Sequence, residues 1–334
     1  ARGFYNTYLN GEKIGKLYYA PGFTDYRLRI TYQRYDITDM LKLGENRIDT
    51  ILGNGYYSGF AGYNRHANVY GTENSFIARI VIEHDDGTVK TIVTDGDWMF
   101  TDNGVVVYAD YLHGEYADAR NDEKRNWRGC DIMDPPGRPV PTNGIIKGLE
   151  FTMEEDNICG AREVMRLRGE YLGEKPEGHK IYDMKQNMVG TVNIKLRGRR
   201  GTGIKLRYGE MLLKTGELYV ANLRAAANTD VYILKGGGEV EEFKPDLTAH
   251  GFRYVEITGN GCDLTDIEIE SVTGIVISNA ERVTGGFECS NDLINKLYSN
   301  IVWGQRDNFL LVPTDCPQRN ERMGWTGDAE VFAK

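Results

Sequence analysis

Over most of the chain, short apolar runs alternate with polar residues and are separated by Gly, Asn, Asp or Pro, the period-of-two pattern of half-buried strands. Residues 4–9 run Phe-Tyr-Asn-Thr-Tyr-Leu into Asn10-Gly11, where both turn residues tolerate positive φ, so a tight hairpin is predicted. Strands are also predicted over 26–35, 49–52 and 105–111, with a turn-like segment over 36–43. Residues 75–83 and 88–94 flank Asp85-Asp86-Gly87, the clearest hairpin signal. Further strands are expected over 164–167, 180–183, 190–197, 203–209, 231–234 and 252–258, and a strand pair around Gly274 over 268–278.

The period then changes. Leu293, Ile294, Leu297, Tyr298, Ile301 and Val302 recur at three to four residues and predict an amphipathic helix, capped by Ser290 or Asn291, with Asp292 in its first turn. No strand alternates with a long helical pattern, and no phosphate loop follows a strand, which disfavours a doubly wound parallel sheet. Pro135, Pro136, Pro139 and Pro141 forbid regular structure and mark a boundary. The expected architecture is mainly β: antiparallel β-sandwich domains over 1–140 and 141–278, then a helical domain from 279. The abrupt start in a strand suggests that the first strands are missing, and the helical domain is expected to be cut off at Lys334.

Composition narrows the function. The net charge of -9 disfavours a nucleic-acid partner, which needs clustered positive charge. No apolar run reaches the length of a membrane span, and no signal segment opens the chain. The five cysteines, Cys130, Cys159, Cys262, Cys289 and Cys316, are widely spaced without a CxxC pair, so neither a structural zinc site nor a disulfide framework is expected. No cofactor or metal is called for. The 21 tyrosines suit aromatic surfaces that stack on sugars. The Gly-Tyr stretch at 53–60 is either such a binding rim or a turn packed on the sheet, and Trp98 is expected to anchor a core.

The densest chemistry lies at 309–330. Asp315, Glu321, Asp328 and Glu330, with Arg319, Arg322 and Trp325, fall within sixteen residues broken by Cys316-Pro317, Gly324 and Gly327. An irregular loop can turn several such groups toward one ligand. A charged surface loop is the plainer alternative.

Residues 308–329, Asn-Phe-Leu-Leu-Val-Pro-Thr-Asp-Cys-Pro-Gln-Arg-Asn-Glu-Arg-Met-Gly-Trp-Thr-Gly-Asp-Ala, resemble the bacterial α-L-rhamnosidases of family 78 of the glycoside hydrolases. So do Tyr-Val-Ala-Asn-Leu-Arg-Ala-Ala at 219–226, His-Gly-Phe-Arg-Tyr-Val-Glu-Ile at 250–257, residues 183–190, Leu9-Asn10-Gly11 and Pro-Gly-Phe-Thr-Asp-Tyr at 21–26. The resemblance implies jelly-roll-like β-sandwiches followed by the first helix and active-site loop of a truncated (α/α)6 barrel. It implies that Glu321 is the general acid and that Asp315, Arg319, Trp325 and Asp328 hold a terminal rhamnose. The family's general base is a glutamate far downstream. Asn320 stands where an Asp commonly precedes the acid.

The implied partners are rhamnose-containing oligosaccharides or glycosides. Cytoplasm, periplasm and secretion all fit a bacterial source, and a homo-oligomer stays open. The implied reaction is hydrolysis with inversion, in which an acid protonates the leaving oxygen and a base opposite activates water. Competing readings are a non-catalytic carbohydrate-binding β-sandwich, carried by the 53–60 rim, and a purely structural β-module.

Overall fold

The computed structural model describes the whole chain except residues 64–65, 134–151, 157–159, 176–177, 281, 328–329 and 331–334. Asn10 and Gly11 take positive φ (54° and 85°) and turn Phe4–Leu9 back onto Glu12–Lys13, as the Asn-Gly pair predicts. Ile48–Gly53 pairs with the other edge of Phe4–Leu9 to complete a three-stranded sheet. The Asp-Asp-Gly hairpin forms between Arg79–Glu83 and Val89–Val93. Strand structure within 26–35 is confined to Arg29–Tyr32, and Thr38–Met40 is a short 3-10 turn.

A ten-stranded sheet dominates. Across it lie Arg162–Arg168, Ile267–Ser278, Lys180–Gly198, His250–Gly259, Gly203–Gly209, Thr229–Ile233, Gly114–Asp118 and Val106–Asp110. Glu170–Glu174 and Glu241–Phe243 also pair with Lys180–Gly198. The two strands expected at 180–183 and 190–197 are one strand, whose register slips between Asp183 and Met188. The strand pair expected around Gly274 is likewise a single strand, Ile267–Ser278. Gly274 serves packing there and makes no turn: a Cβ would stand 2.7 Å from Met188 Sδ.

Pairing is not antiparallel throughout, a correction to the sequence-based expectation. Thr229–Ile233 runs parallel to Gly114–Asp118, with Val231 opposite Tyr116, and Arg29–Tyr32 runs parallel to Thr152–Glu155. Strands on the two sides of the proline-rich stretch therefore share hydrogen bonds, while Pro135 to Pro141 lie outside the described residues.

Burial follows two clusters. One is aliphatic and lies on the large sheet, built from residues such as Ile194, Leu206, Phe252, Val255 and Val276. The other is tyrosine-rich and joins Phe4, Tyr19, Tyr56 and Tyr111 with Leu247, Ile275 and Leu310. Its rings meet edge-on or tilted, with Phe4 5.6 Å from both Tyr19 and Tyr111, and Tyr56 5.3 Å from Tyr111. The 53–60 stretch is accordingly a packed turn: Gly55–Ser58 is a helical turn with Tyr56 and Tyr57 buried. Trp98, expected in a core, is only half-buried and belongs to neither cluster.

The predicted helix spans Asp292–Asn308, and the Asn291 side chain caps the amides of Leu293 and Ile294. Its C-terminal end is tied to the large sheet, because Ser278 Oγ donates toward the carbonyls of Arg306 (2.8 Å) and Phe309 (2.9 Å). The predicted apolar stripe faces outward, with Leu293, Ile294, Leu297 and Ile301 all exposed.

Candidate functional site

After the helix, Leu310 plugs into the tyrosine cluster and starts an irregular loop. Thr314 N–H donates to Asn308 O (2.9 Å) and Trp325 N–H to Pro313 O (3.0 Å), closing the loop at its base. Both β regions then grip the stretch between. Asn228 Nδ2 donates to Gln318 O at 2.9 Å, Asn320 Nδ2 to Tyr63 O at 2.8 Å, and the Tyr56 hydroxyl to Arg322 O at 2.9 Å.

Arg322 carries most of the anchorage. It is 0% exposed and takes φ 53°. Its guanidinium donates to Tyr111 O, to Ala249 O (2.6 Å) and to Asn228 Oδ1 (2.8 Å), and it lies over the Tyr111 ring. Burial lowers its pKa, while the neighbouring tyrosines and Asp110 act in the opposite direction. Asn228 belongs to a further buried chain. His250 lies 3.5 Å from Asn228 Oδ1 and 3.0 Å from Asp230, which accepts from the Tyr208 hydroxyl at 2.6 Å.

Glu321 is therefore held on both sides along the chain, and the residue is 7% exposed. Arg319 donates to Glu321 Oε2 through Nε (3.1 Å), and its Nη2 lies 2.9 Å from the same oxygen as an ion pair. The two arginines thus divide their work: Arg319 faces the carboxylate and Arg322 faces the core. Asp315, Cys316 and Glu321 bring their ligand-type atoms within 4.8 Å of one another. The Cys316 thiol is pushed up to about 12, first by burial and then by Asp315 beside it. A protonated thiol and a carboxylate already paired with a guanidinium make a poor metal cage.

Asp315 is exposed next to this group. Trp325 is 47% exposed, whereas Asp328 lies outside the described residues. Glu330, also exposed, is not brought to the cluster by any described contact. Asn320 donates to a carbonyl, a task that its amide performs and an ionised carboxylate cannot. A groove of about 770 Å³ lies elsewhere, between Tyr171, Tyr182 and residues 267–272, and none of the candidate residues lines it.

Residues 1–152 match the alpha-L-rhamnosidase N-terminal domain, 173–278 the bacterial alpha-L-rhamnosidase concanavalin-like domain, and 282–334 the bacterial alpha-L-rhamnosidase 6 hairpin glycosidase domain. The chain belongs to the bacterial α-L-rhamnosidase family. It is 41% identical to an alpha-L-rhamnosidase of Streptomyces avermitilis, over 100% of this chain and 32% of that protein. It is 33% identical to one of Formosa agariphila, over 99% of this chain and 35% of that protein. The crystal structure of the Streptomyces avermitilis enzyme complexed with L-rhamnose superposes with a TM-score of 0.85 at 38% identity, covering 99% of this chain and 31% of that one. The α-L-rhamnosidase structure from Dictyoglumus thermophilum gives 0.84 at 36% identity, covering 99% and 36%. The chain spans about a third of the length of the relatives it matches.

Proposed function

We propose that the polypeptide carrying this chain hydrolyses terminal non-reducing α-L-rhamnose from rhamnosides, with inversion and with Glu321 as the general acid. The observation that carries this is the placement of Glu321: a largely buried carboxyl on a loop clamped at Gln318, Asn320 and Arg322, so that its position is set by the β scaffold. Such a group can deliver a proton to the departing glycosidic oxygen. The second carboxylate, which activates water on the opposite face, is assigned to the part of the relatives' length that this chain does not span.

Asp315, Arg319 and Asp328 would hydrogen-bond the sugar hydroxyls, and Trp325 would offer its ring to the sugar's apolar face, including the methyl of a deoxy-sugar. The complex of the Streptomyces avermitilis relative with L-rhamnose supports rhamnose as the glycone. The strand regions are read as jelly-roll-like sandwiches and Asp292–Asn308 as the first helix of an (α/α)6 barrel. The outward stripe of that helix suits further helices. The binding-module alternative loses support, since the tyrosines of its rim are buried.

The test is release of L-rhamnose from an aryl α-L-rhamnoside by the complete polypeptide across pH 4 to 8, with the first-formed anomer followed by proton NMR. Release with initial β-rhamnose is expected. No release above background from folded protein would remove the assignment, and initial α-rhamnose would remove the inverting mechanism.

A further inference from the structure

The segment Tyr219 to Ala226 joins the site at one residue that the acid-loop motif does not contain. Leu218–Tyr219 is a short strand, and Ala221–Leu223 is a 3-10 turn with Leu223 buried. Ala226 and Asn228 are buried again, so the chain has one exposed loop in which to turn between two anchored ends. It turns at Arg224, which takes φ 57° and ψ -105°, a region that side-chain-bearing residues rarely occupy. Glycine would take this conformation far more easily. The arginine's guanidinium projects over the ring of Tyr63, 5.1 Å from its centroid, and reaches 3.8 Å from Glu321 Oε2. Tyr63 in turn supplies the carbonyl that receives Asn320, the neighbour of Glu321.

We propose that Arg224 is a positioning residue for Glu321, holding Oε2 jointly with Arg319 so that the other carboxyl oxygen, Oε1, is aimed at the glycosidic oxygen. This rests on the reading of Glu321 as the acid. Arg319, from the loop itself, and Arg224, from the large-sheet region, fix one oxygen and thereby the rotation of the carboxyl group. Tyr63 braces the Arg224 guanidinium, and the strained turn keeps the side chain aimed at the acid. The reaction gains because a carboxyl free to rotate presents its proton correctly for only part of the time.

The strain yields a test that separates positioning from simple structural support. In the complete polypeptide, Arg224→Gly relieves the backbone, so the melting temperature is expected to hold or rise. The kcat on a rhamnoside with a poor leaving group should nevertheless fall about tenfold or more, with KM changed less than about twofold. Arg224→Gln should show the same kcat loss, again with KM changed little. Arg224→Lys should recover part of the rate by restoring the charge without the fork. Unchanged kcat in Arg224→Gln would overturn the proposal, as would a melting temperature that falls in step with kcat in Arg224→Gly. Glu321→Gln is measured alongside. If it keeps full activity, the acid assignment itself fails. If it loses activity while the Arg224 variants do not, only the role of Arg224 fails.

Discussion

Arg322 Nη2 donates to Asn228 Oδ1 at 2.8 Å, joining two residues 94 positions apart, both withdrawn from solvent. The same Asn228 uses its amide to hold Gln318 O. One asparagine on the large-sheet side thus grips the acid loop at two points that bracket Glu321. Loop position and core integrity are consequently coupled.

Arg322→Met should expose that coupling. Methionine fills a similar volume but leaves the carbonyls of Tyr111 and Ala249 and the amide oxygen of Asn228 without their donor. Each such loss costs roughly 1–3 kcal/mol, while removal of a buried charge offsets part of it. A net loss of about 2–4 kcal/mol is expected by denaturant titration, with kcat reduced even where the protein remains folded. Undiminished stability would mean that the loop is held by other contacts.

Glu321→Gln keeps the shape of the side chain and removes the proton. General acid catalysis contributes about 10²- to 10⁴-fold, so kcat in the complete polypeptide should fall by that order for alkyl or sugar leaving groups. Activated aryl rhamnosides should lose much less. Equal losses on both substrate types would show that another group supplies the proton.

Stability should fall as pH rises from about 4.5 toward 8, because of Glu115. Burial first, then the charges of Asp230 and Asp246, push this carboxyl from 4.5 up to about 8. The folded state therefore keeps the proton over a range where the unfolded chain has released it. The sign follows: this contribution to stability is complete below about pH 4.5 and is lost progressively as pH rises toward 8, at up to about 1.4 kcal/mol per pH unit. Glu115→Gln preserves an acceptor for the Asp246 and Leu247 amides and cannot ionise. It should match the parent near pH 4.5 and exceed it at pH 8 in denaturant melts. Parallel pH curves for the two proteins would contradict the raised value.

Two glycines on facing strands should respond differently to a methyl group. At Gly190, φ is 152° and a Cβ would sit 1.8 Å from Ile275 O, a backbone atom that cannot move aside. At Gly274 the nearest atoms are the sulfurs of Met188 and Met184, at the ends of flexible side chains. Gly190→Ala should therefore cost about 3 kcal/mol or more and Gly274→Ala about 1 kcal/mol, measured by thermal unfolding of each variant. A reversal of that order would show that the strand pair relaxes more readily than its packing suggests.

The sequence is most informative where local physics decides the structure. Asn10-Gly11, Asp86-Gly87 and the three-to-four period from Leu293 each carry their own geometry, and each element forms close to where it is expected. The parallel pairing of Val231 with Tyr116 has no local signature, because its partners are joined only by the fold. Gly274 was open to misreading for a related reason: a glycine that turns and a glycine that admits a methionine look alike in one dimension. At the site, the loop and the Glu321 carboxyl were legible as a motif, but the different surroundings of Arg319 and Arg322 were not until burial separated them. Arg224 could have been sought within the 219–226 stretch, although nothing in its residue types foretells a left-handed turn.

The parallel pairing also bears on how the chain folds as it is synthesised. Gly114–Asp118 emerges well before Thr229–Ile233, the strand that covers its outer edge. In the interval that edge carries open amides and carbonyls, a template for pairing with another nascent chain. Closing the contact requires a long loop to form, and such non-local pairings come late. A ribosome-bound chain stalled before residue 229 should therefore bind chaperones and be cut readily by protease near residues 106–118. One stalled beyond residue 278, with every strand of the large sheet available, should resist that cut.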